Sequence, residues 1–297
     1  MGRHAAFGAL LSILFASSAL AQRTFVSAQS GSDSNPCSVT SPCRTLAAAI
    51  AAVAAGGEVV VLDSGGYGPF TIAKAVTVES PNGIYAGVSA TSGDGIDVSA
   101  GASDIVVLRG LTLYGFSGAR YGIFFVSGGA LHIESCIVDG FPSQGIYQNS
   151  DGSLYVTDTT VRNGGIGIAL YPHTASTASI IRCLIQNNSN YGFRALDGVT
   201  ANIRDSVSSS NLWGFVAGGH ITASELNLEN CLATNNSGYG IGTIDNLGII
   251  RVAGSTVTDN GMGLYQAGTM TLASWGNNHV AGNATDITGV ITALSNH

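Results

Sequence analysis

Charge is scarce in this 297-residue sequence, where Asp, Glu, Lys and Arg together make up only 10% of the chain. Lysine occurs once, at Lys74, and 11 basic residues against 18 acidic ones leave a net charge of -7. That balance excludes a helical bundle, a coiled coil and any nucleic-acid binder that works through a basic surface. No run of 18 apolar residues is present, so no segment reads as a membrane span. Neither Cys-x-x-Cys nor His-x-x-x-His spacing occurs, and no metal site is expected. A Gly-x-Ser-x-Gly elbow and a phosphate-cradling Gly-Lys-Ser/Thr loop are also missing, and no cofactor is expected. What the chain has instead is glycine, 41 times, and 45% apolar residues. Such a composition describes a β-rich, turn-rich protein.

Residues 1–21 read as an address. Arg3 precedes an apolar run from Ala5 to Phe15, and Ala19-Leu20-Ala21 supplies a small-x-small end. This is the layout of a secretory signal peptide cleaved after Ala21, and it predicts a secreted, periplasmic or cell-surface protein. Export permits disulfides. Cys37 and Cys43 bracket a short loop that can close on itself, so these two are expected to be paired. Cys136, Cys183 and Cys231 follow at steps of 47 and 48 residues, and a repeat explains that regularity.

Leu131-His-Ile-Glu-Ser-Cys136 aligns with segments ending at Thr159, Cys183, Ser206, Cys231 and Ser255, in steps of 23 to 25 residues. Glycine followed by an apolar residue recurs at Gly122, Gly145, Gly167, Gly192, Gly214, Gly240 and Gly263. Asparagine recurs near the end of each unit, at Asn163, Asn187, Asn211, Asn235 and Asn260. A period near two dozen residues, with short alternating runs joined by Gly, Asn, Asp and Ser, predicts an all-β solenoid. The expected form is a right-handed parallel β-helix of about ten coils, spaced ~4.8 Å apart. Cysteines two coils apart would then be ~9.6 Å from each other, too far for a disulfide, and are expected to be buried free thiols. The alanine-rich stretch from Arg44 to Ala55 favours helix, and Gly56-Gly57 ends it. It is expected to cap the open end of the core. The chain therefore divides into a leader (1–21), an N-terminal segment with the Cys37–Cys43 loop and capping helix (22–57), and the β-helix (58–297).

With Gly31-Ser-Asp-Ser, Pro42-Cys-Arg-Thr45 and the alanine-rich helix leading into Gly56-Gly-Glu-Val-Val-Val, the chain resembles the secreted right-handed β-helix proteins of the pectin-lyase-like superfamily. The resemblance implies a polysaccharide partner. It fixes no reaction, because that superfamily holds lyases, hydrolases, epimerases and adhesins alike. The Asn-Thr-Asp, Asp-Asp and His-Gly motifs of polygalacturonase-like enzymes are not in the sequence. Mannuronan-epimerase-like enzymes carry Tyr-Gly-Phe-Asp-Pro-His. Pro172-His173 matches its end, while Tyr171 stands at the Asp position and Ile168 at the Tyr position.

The repeat itself singles out a row. Asp151, His173, Asp197, His220 and Asp245 stand in the turn after the glycine-started strand, at steps of 22, 24, 23 and 25. Stacking would line them into one stripe, bordered by Tyr171 and Arg194. An imidazole flanked by carboxylates can act as general acid or base near neutral pH. The same turn pairs are equally ordinary turn chemistry. His173, Tyr171, Arg194 and Asp197 are the candidate catalytic residues. Asp151, His220, Asp245, Tyr147 and Tyr265 are the candidate substrate-binding residues, with Phe124 as a further ring for sugar stacking. The reading is an exported β-helix that binds or processes a polysaccharide along one face. A non-catalytic adhesion module and a lyase or C5-epimerase-like enzyme centred on His173 are its alternatives.

Overall fold

A computed structural model describes residues 22–295; the expected leader lies outside them. The chain winds as a parallel solenoid in which most coils contribute one strand to each of three ladders, and Trp213–Glu229 and Tyr239–Ala253 run unbroken from the third ladder into the first. The first ladder begins with Arg23–Val26 and Gly57–Val61 and continues through strands such as Ala130–Glu134, Ser153–Thr157 and Val199–Arg204. The second holds ten short strands from Gly65–Gly66 to His279–Val280. The third carries the glycine-started strands, among them Tyr121–Ser127, Gln144–Gln148, Ile166–Leu170 and Tyr191–Leu196.

Alternation decides which side chains enter the core. In the first ladder Leu131 pairs with Leu154 and Ile133 with Val156, all fully buried, while His132 and Glu134 point outward. Like stacks on like because the pairing is parallel and in register from coil to coil.

The corner between first and second ladders shows why its residue alternates between Cys and Thr or Ser. Ser135, Asp158, Arg182, Asp205 and Asn230 adopt left-handed backbone there, with φ of 51 to 52°. The next residue then turns inward. The Thr159 hydroxyl accepts from the Cys136 amide at 3.3 Å, Ser206 from Cys183 at 3.1 Å, and Ser255 from Cys231 at 3.0 Å. Each thiol donates to carbonyls, as Cys183 does to Ile181 at 3.4 Å. A small interior group that can donate or accept is what this corner needs. All three cysteines are free and buried, whereas Cys37 and Cys43 form a disulfide.

The second corner holds an asparagine ladder of Asn188, Asn211, Asn236 and Asn260, all buried, ending at the half-buried Asn283. Each Oδ1 from Asn211 onward accepts both the backbone and the side-chain N–H of the preceding asparagine. The repeat marked Asn187 and Asn235 one residue early. Those two, with Asn163, are exposed and supply the left-handed turn, with φ of 56 to 59°. The following glycine is forced by crowding: a Cβ at Gly192 would stand 2.2 Å from the Ser208 hydroxyl.

Among the described residues helix is confined to Leu46–Ala52, shorter than the alanine run, with Thr45 as its N-cap accepting from the Ala48 amide. Its Leu46, Ala49 and Ile50 are buried, and the Thr24 hydroxyl of the first strand donates to the Ala49 carbonyl. Lys74 donates from Nζ to the Val53 carbonyl at the other end. The expected cap is in place.

Candidate functional site: two outer faces and a turn row

The row of turn residues exists, and most of its carboxylates are engaged in joining coils. Asp151 Oδ1 accepts the His173 and Thr174 amides at 2.8 Å each, and its Oδ2 accepts the Thr174 hydroxyl. The Thr174 amide is foremost in holding the Asp151 carboxyl below the usual carboxylate range. Asp197 repeats the arrangement two coils on, accepting the amides of His220, Ile221 and Thr222. Burial alone would raise the Asp197 carboxyl; the three amides outweigh it and hold it low. His173 and His220 are exposed. Asp151 and His173 border a shallow groove of about 440 Å³ floored by Gly128, Gly129 and Gly152.

Arg194 and Tyr171 lie apart from this latch, on the outer face of the third ladder. The Arg194 guanidinium sits 4.6 Å from the Tyr191 ring centre and 5.5 Å from that of Tyr171. It donates to Asp245 Oδ2 at 3.3 Å, reaching across the coil between them, and His220 Nε2 is 3.9 Å from the same oxygen. Burial pushes the Tyr171 hydroxyl up to about 12. The four candidate catalytic residues thus divide: His173 and Asp197 belong to the turn row, Tyr171 and Arg194 to an aromatic band.

That band runs along the third ladder. Phe124 stacks on Tyr147 at 5.1 Å and 7°, and Tyr239 stacks on Tyr265 at 4.6 Å and 9°. Trp213 lies between Tyr191 and Tyr239, 4.5 and 5.4 Å from them. The rings turn their faces to one another along the solenoid axis. Tyr191 and Tyr239 are consequently buried although their strand positions point outward.

A second, larger groove lies elsewhere, on the outer face of the first ladder. A groove of about 570 Å³ runs over the strands at Ser179, Asn202, Asn227 and Arg251, with Trp275 and Asn277 along its side. Its polar groups are linked. Asn227 Nδ2 donates to Asn202 Oδ1 at 3.1 Å, Arg251 donates to Asn227 Oδ1 at 3.2 Å, and Arg251 pairs with Glu225. Arg204 lies 3.6 Å from Asp205 and 3.9 Å from Glu229. None of these was singled out from the sequence. The signal was present in the repeat alignment, whose second position reads His132, Tyr155, Ser179, Asn202, Asn227, Arg251.

The description "Right handed beta helix region" matches residues 56–208 and 94–285. The chain belongs to the right-handed β-helix family. No curated protein matches it in sequence. Among solved structures it is similar to pectate lyase Pel9A, at 16% identity and a TM-score of 0.65, covering 90% of this chain and 80% of that one. It is also similar to the A-module of Azotobacter vinelandii mannuronan C-5 epimerase AlgE6, with 16% identity, a TM-score of 0.63 and coverage of 83% and 73%. A rhamnogalacturonan lyase matches at 16% identity and a TM-score of 0.53, covering 85% and 72%. At such identities the likeness is one of fold alone.

Proposed function

We propose that this β-helix protein, exported by the leader-like residues 1–21, binds a polysaccharide along the outer face of its first ladder. The observation that carries the reading is the groove of about 570 Å³ between Ser179 and Asn277. It is long in the direction of the coils, so an extended chain can lie along it. Planar amides and guanidinium groups on its floor can meet sugar hydroxyls, and the Trp275 indole at its side offers apolar surface to a sugar ring. The similar solved structures, described as a pectate lyase, a mannuronan epimerase and a rhamnogalacturonan lyase, give the polysaccharide its prior.

Retention of the full chain on immobilised plant, algal and bacterial polysaccharides tests the reading. One or more should retain the protein, and Trp275→Ala should weaken retention about tenfold. Absence of retention across the panel overturns it.

A processing role centred on His173 is the second reading, favoured by the smaller groove in which that exposed imidazole stands beside Asp151. Incubation in heavy water with mass-spectrometric readout separates the reactions. Hydrolysis shortens the chain with added water, elimination leaves unsaturated ends, and epimerisation leaves deuterium on an uncut chain. A product that disappears in His173→Ala would establish this role.

A further inference from the structure

Every arginine on the outer face of the first ladder already has a carboxylate partner, among the described residues. Arg23 pairs with Glu58, and Arg109 lies 2.8 Å from Glu134 and 3.2 Å from Glu79. At the groove itself Arg251 holds Glu225, and Arg204 stands between Asp205 and Glu229. Two guanidinium groups thus face three carboxylates. An anionic polymer entering here would meet no free cation, and its own carboxylates would approach Glu225 and Glu229. Like charges brought together in this way cost affinity and are a common basis of rejection.

A hydroxyl has no such conflict. It donates to a carboxylate or amide oxygen and accepts from a guanidinium or amide N–H, whereas an ionised carboxylate only accepts. The groove offers both kinds of partner side by side: Asn202 and Asn227 amides, the remaining guanidinium N–H groups and the Glu229 oxygens, with Glu225 at its edge bonded to Arg251 and Asn227. A vicinal diol could bridge an arginine and its glutamate without breaking their ion pair.

We infer that the first-ladder groove takes an uncharged, hydroxyl-rich glycan in preference to a uronate polymer. This rests on the groove being the polysaccharide site proposed above, and it adds the ligand's charge class. The pairing also sets how preference can be inverted. Glu225→Gln removes one carboxylate and frees Arg251 for an incoming anion.

Calorimetric titration of the full chain with neutral oligosaccharides (cello-, manno- and xylo-oligomers) and with oligogalacturonate and oligomannuronate tests the inference. Neutral oligomers should bind about tenfold or more tightly than the uronates, with little change between low and high salt. Glu225→Gln should raise uronate affinity at low salt by about threefold or more, so that the ratio of neutral to uronate affinity falls by at least that factor. Location is read from Trp275 emission in Trp213→Phe protein, since these are the two tryptophans of the sequence. A neutral oligomer that shifts this emission saturably supports the assignment; one that binds without moving it overturns it. Tighter uronate binding that salt weakens, or a Glu225→Gln preference unchanged from the parent, overturns the inference and leaves the polysaccharide site standing. Failure of both classes to bind overturns the site as well.

Discussion

Asn236 is the clearest place to perturb the solenoid, because its side chain is fully buried and both its polar atoms are hydrogen-bonded. Its Oδ1 accepts the backbone and side-chain N–H of Asn211, both at 3.1 Å. Its Nδ2 donates to the Ser208 carbonyl at 3.0 Å and to Asn260 Oδ1 at 2.9 Å. Alanine removes all four bonds. Asn211 Nδ2 retains the Ile185 carbonyl and the Ser208 hydroxyl, but the Asn211 amide is left facing an apolar methyl. A buried orphan of that kind costs about 1–3 kcal/mol, and the lost net bonds and small cavity add to it. The expected destabilisation is about 2–5 kcal/mol for Asn236→Ala. Asn236→Asp should cost at least as much, since it keeps the acceptor for Asn211 and replaces both donations with a buried charge. Asn235→Gly is the control: Asn235 is exposed and left-handed, a conformation glycine adopts freely. Denaturant midpoints compared at a common slope measure the three, and amide exchange at Asn211 reports the local loss. An Asn236→Ala cost under about 1 kcal/mol, equal to that of Asn235→Gly, would refute the ladder as a source of stability.

Asp97 lies beside Asp94, which Arg120 holds through two bonds, and burial with the Asp94 charge pushes the Asp97 carboxyl up to about 6. A raised carboxyl binds its proton more tightly when folded, so this group's contribution to stability falls as pH rises from about 4 to about 6. Asp97→Asn should therefore raise the melting temperature at pH 7 relative to the parent and leave it unchanged near pH 4. The depressed Asp197 carboxyl has the opposite sign: its stabilisation is present above the usual carboxylate range and is lost as pH falls through the folded value. Asp197→Ala should speed amide exchange at His220, Ile221 and Thr222 at neutral pH, and that difference should vanish in acid. Alkylation followed by intact mass should find no reactive thiol in the native protein and three after unfolding without reductant, because burial pushes the Cys136, Cys183 and Cys231 thiols up and away from thiolate.

The coil-to-coil architecture was legible because a parallel solenoid imposes one environment on one column. The corner taken by Cys136, Thr159 and Cys183 requires a small group able to donate or accept inside the core, and few residue types meet that requirement. The asparagine column was legible only to within one residue. In Asn187-Asn188 and Asn235-Asn236 two asparagines adjoin, one for the left-handed turn and one for the interior, and both uses favour the same amino acid. Burial and backbone conformation distinguish them in the fold. The Asp and His row was likewise visible by its period, while its use was not. Asp151 and Asp197 bond amides in the next coil, a contact between residues 22 to 25 positions apart that turn chemistry alone does not reveal.

The groove was hardest to read for the same physical reason that made the core easy. Inward columns are constrained at every coil, so they repeat; outward columns are constrained only where something rests on them, so they drift. Along the first ladder the outward column changes from the stacked pair His132 and Tyr155 to Ser179, Asn202, Asn227 and Arg251. The change from large rings to smaller and linked polar groups is what opens a floor beneath Trp275. On the third ladder the outward rings fall in two columns, Tyr191, Trp213 and Tyr239 in one and Phe124, Tyr147 and Tyr265 in the other, and they consume one another's faces. A repeat broken on the outside while it persists inside is therefore the more informative signal for a binding site in this solenoid. It points to the first ladder, where shape, hydrogen-bonding capacity and a balance of charge coincide.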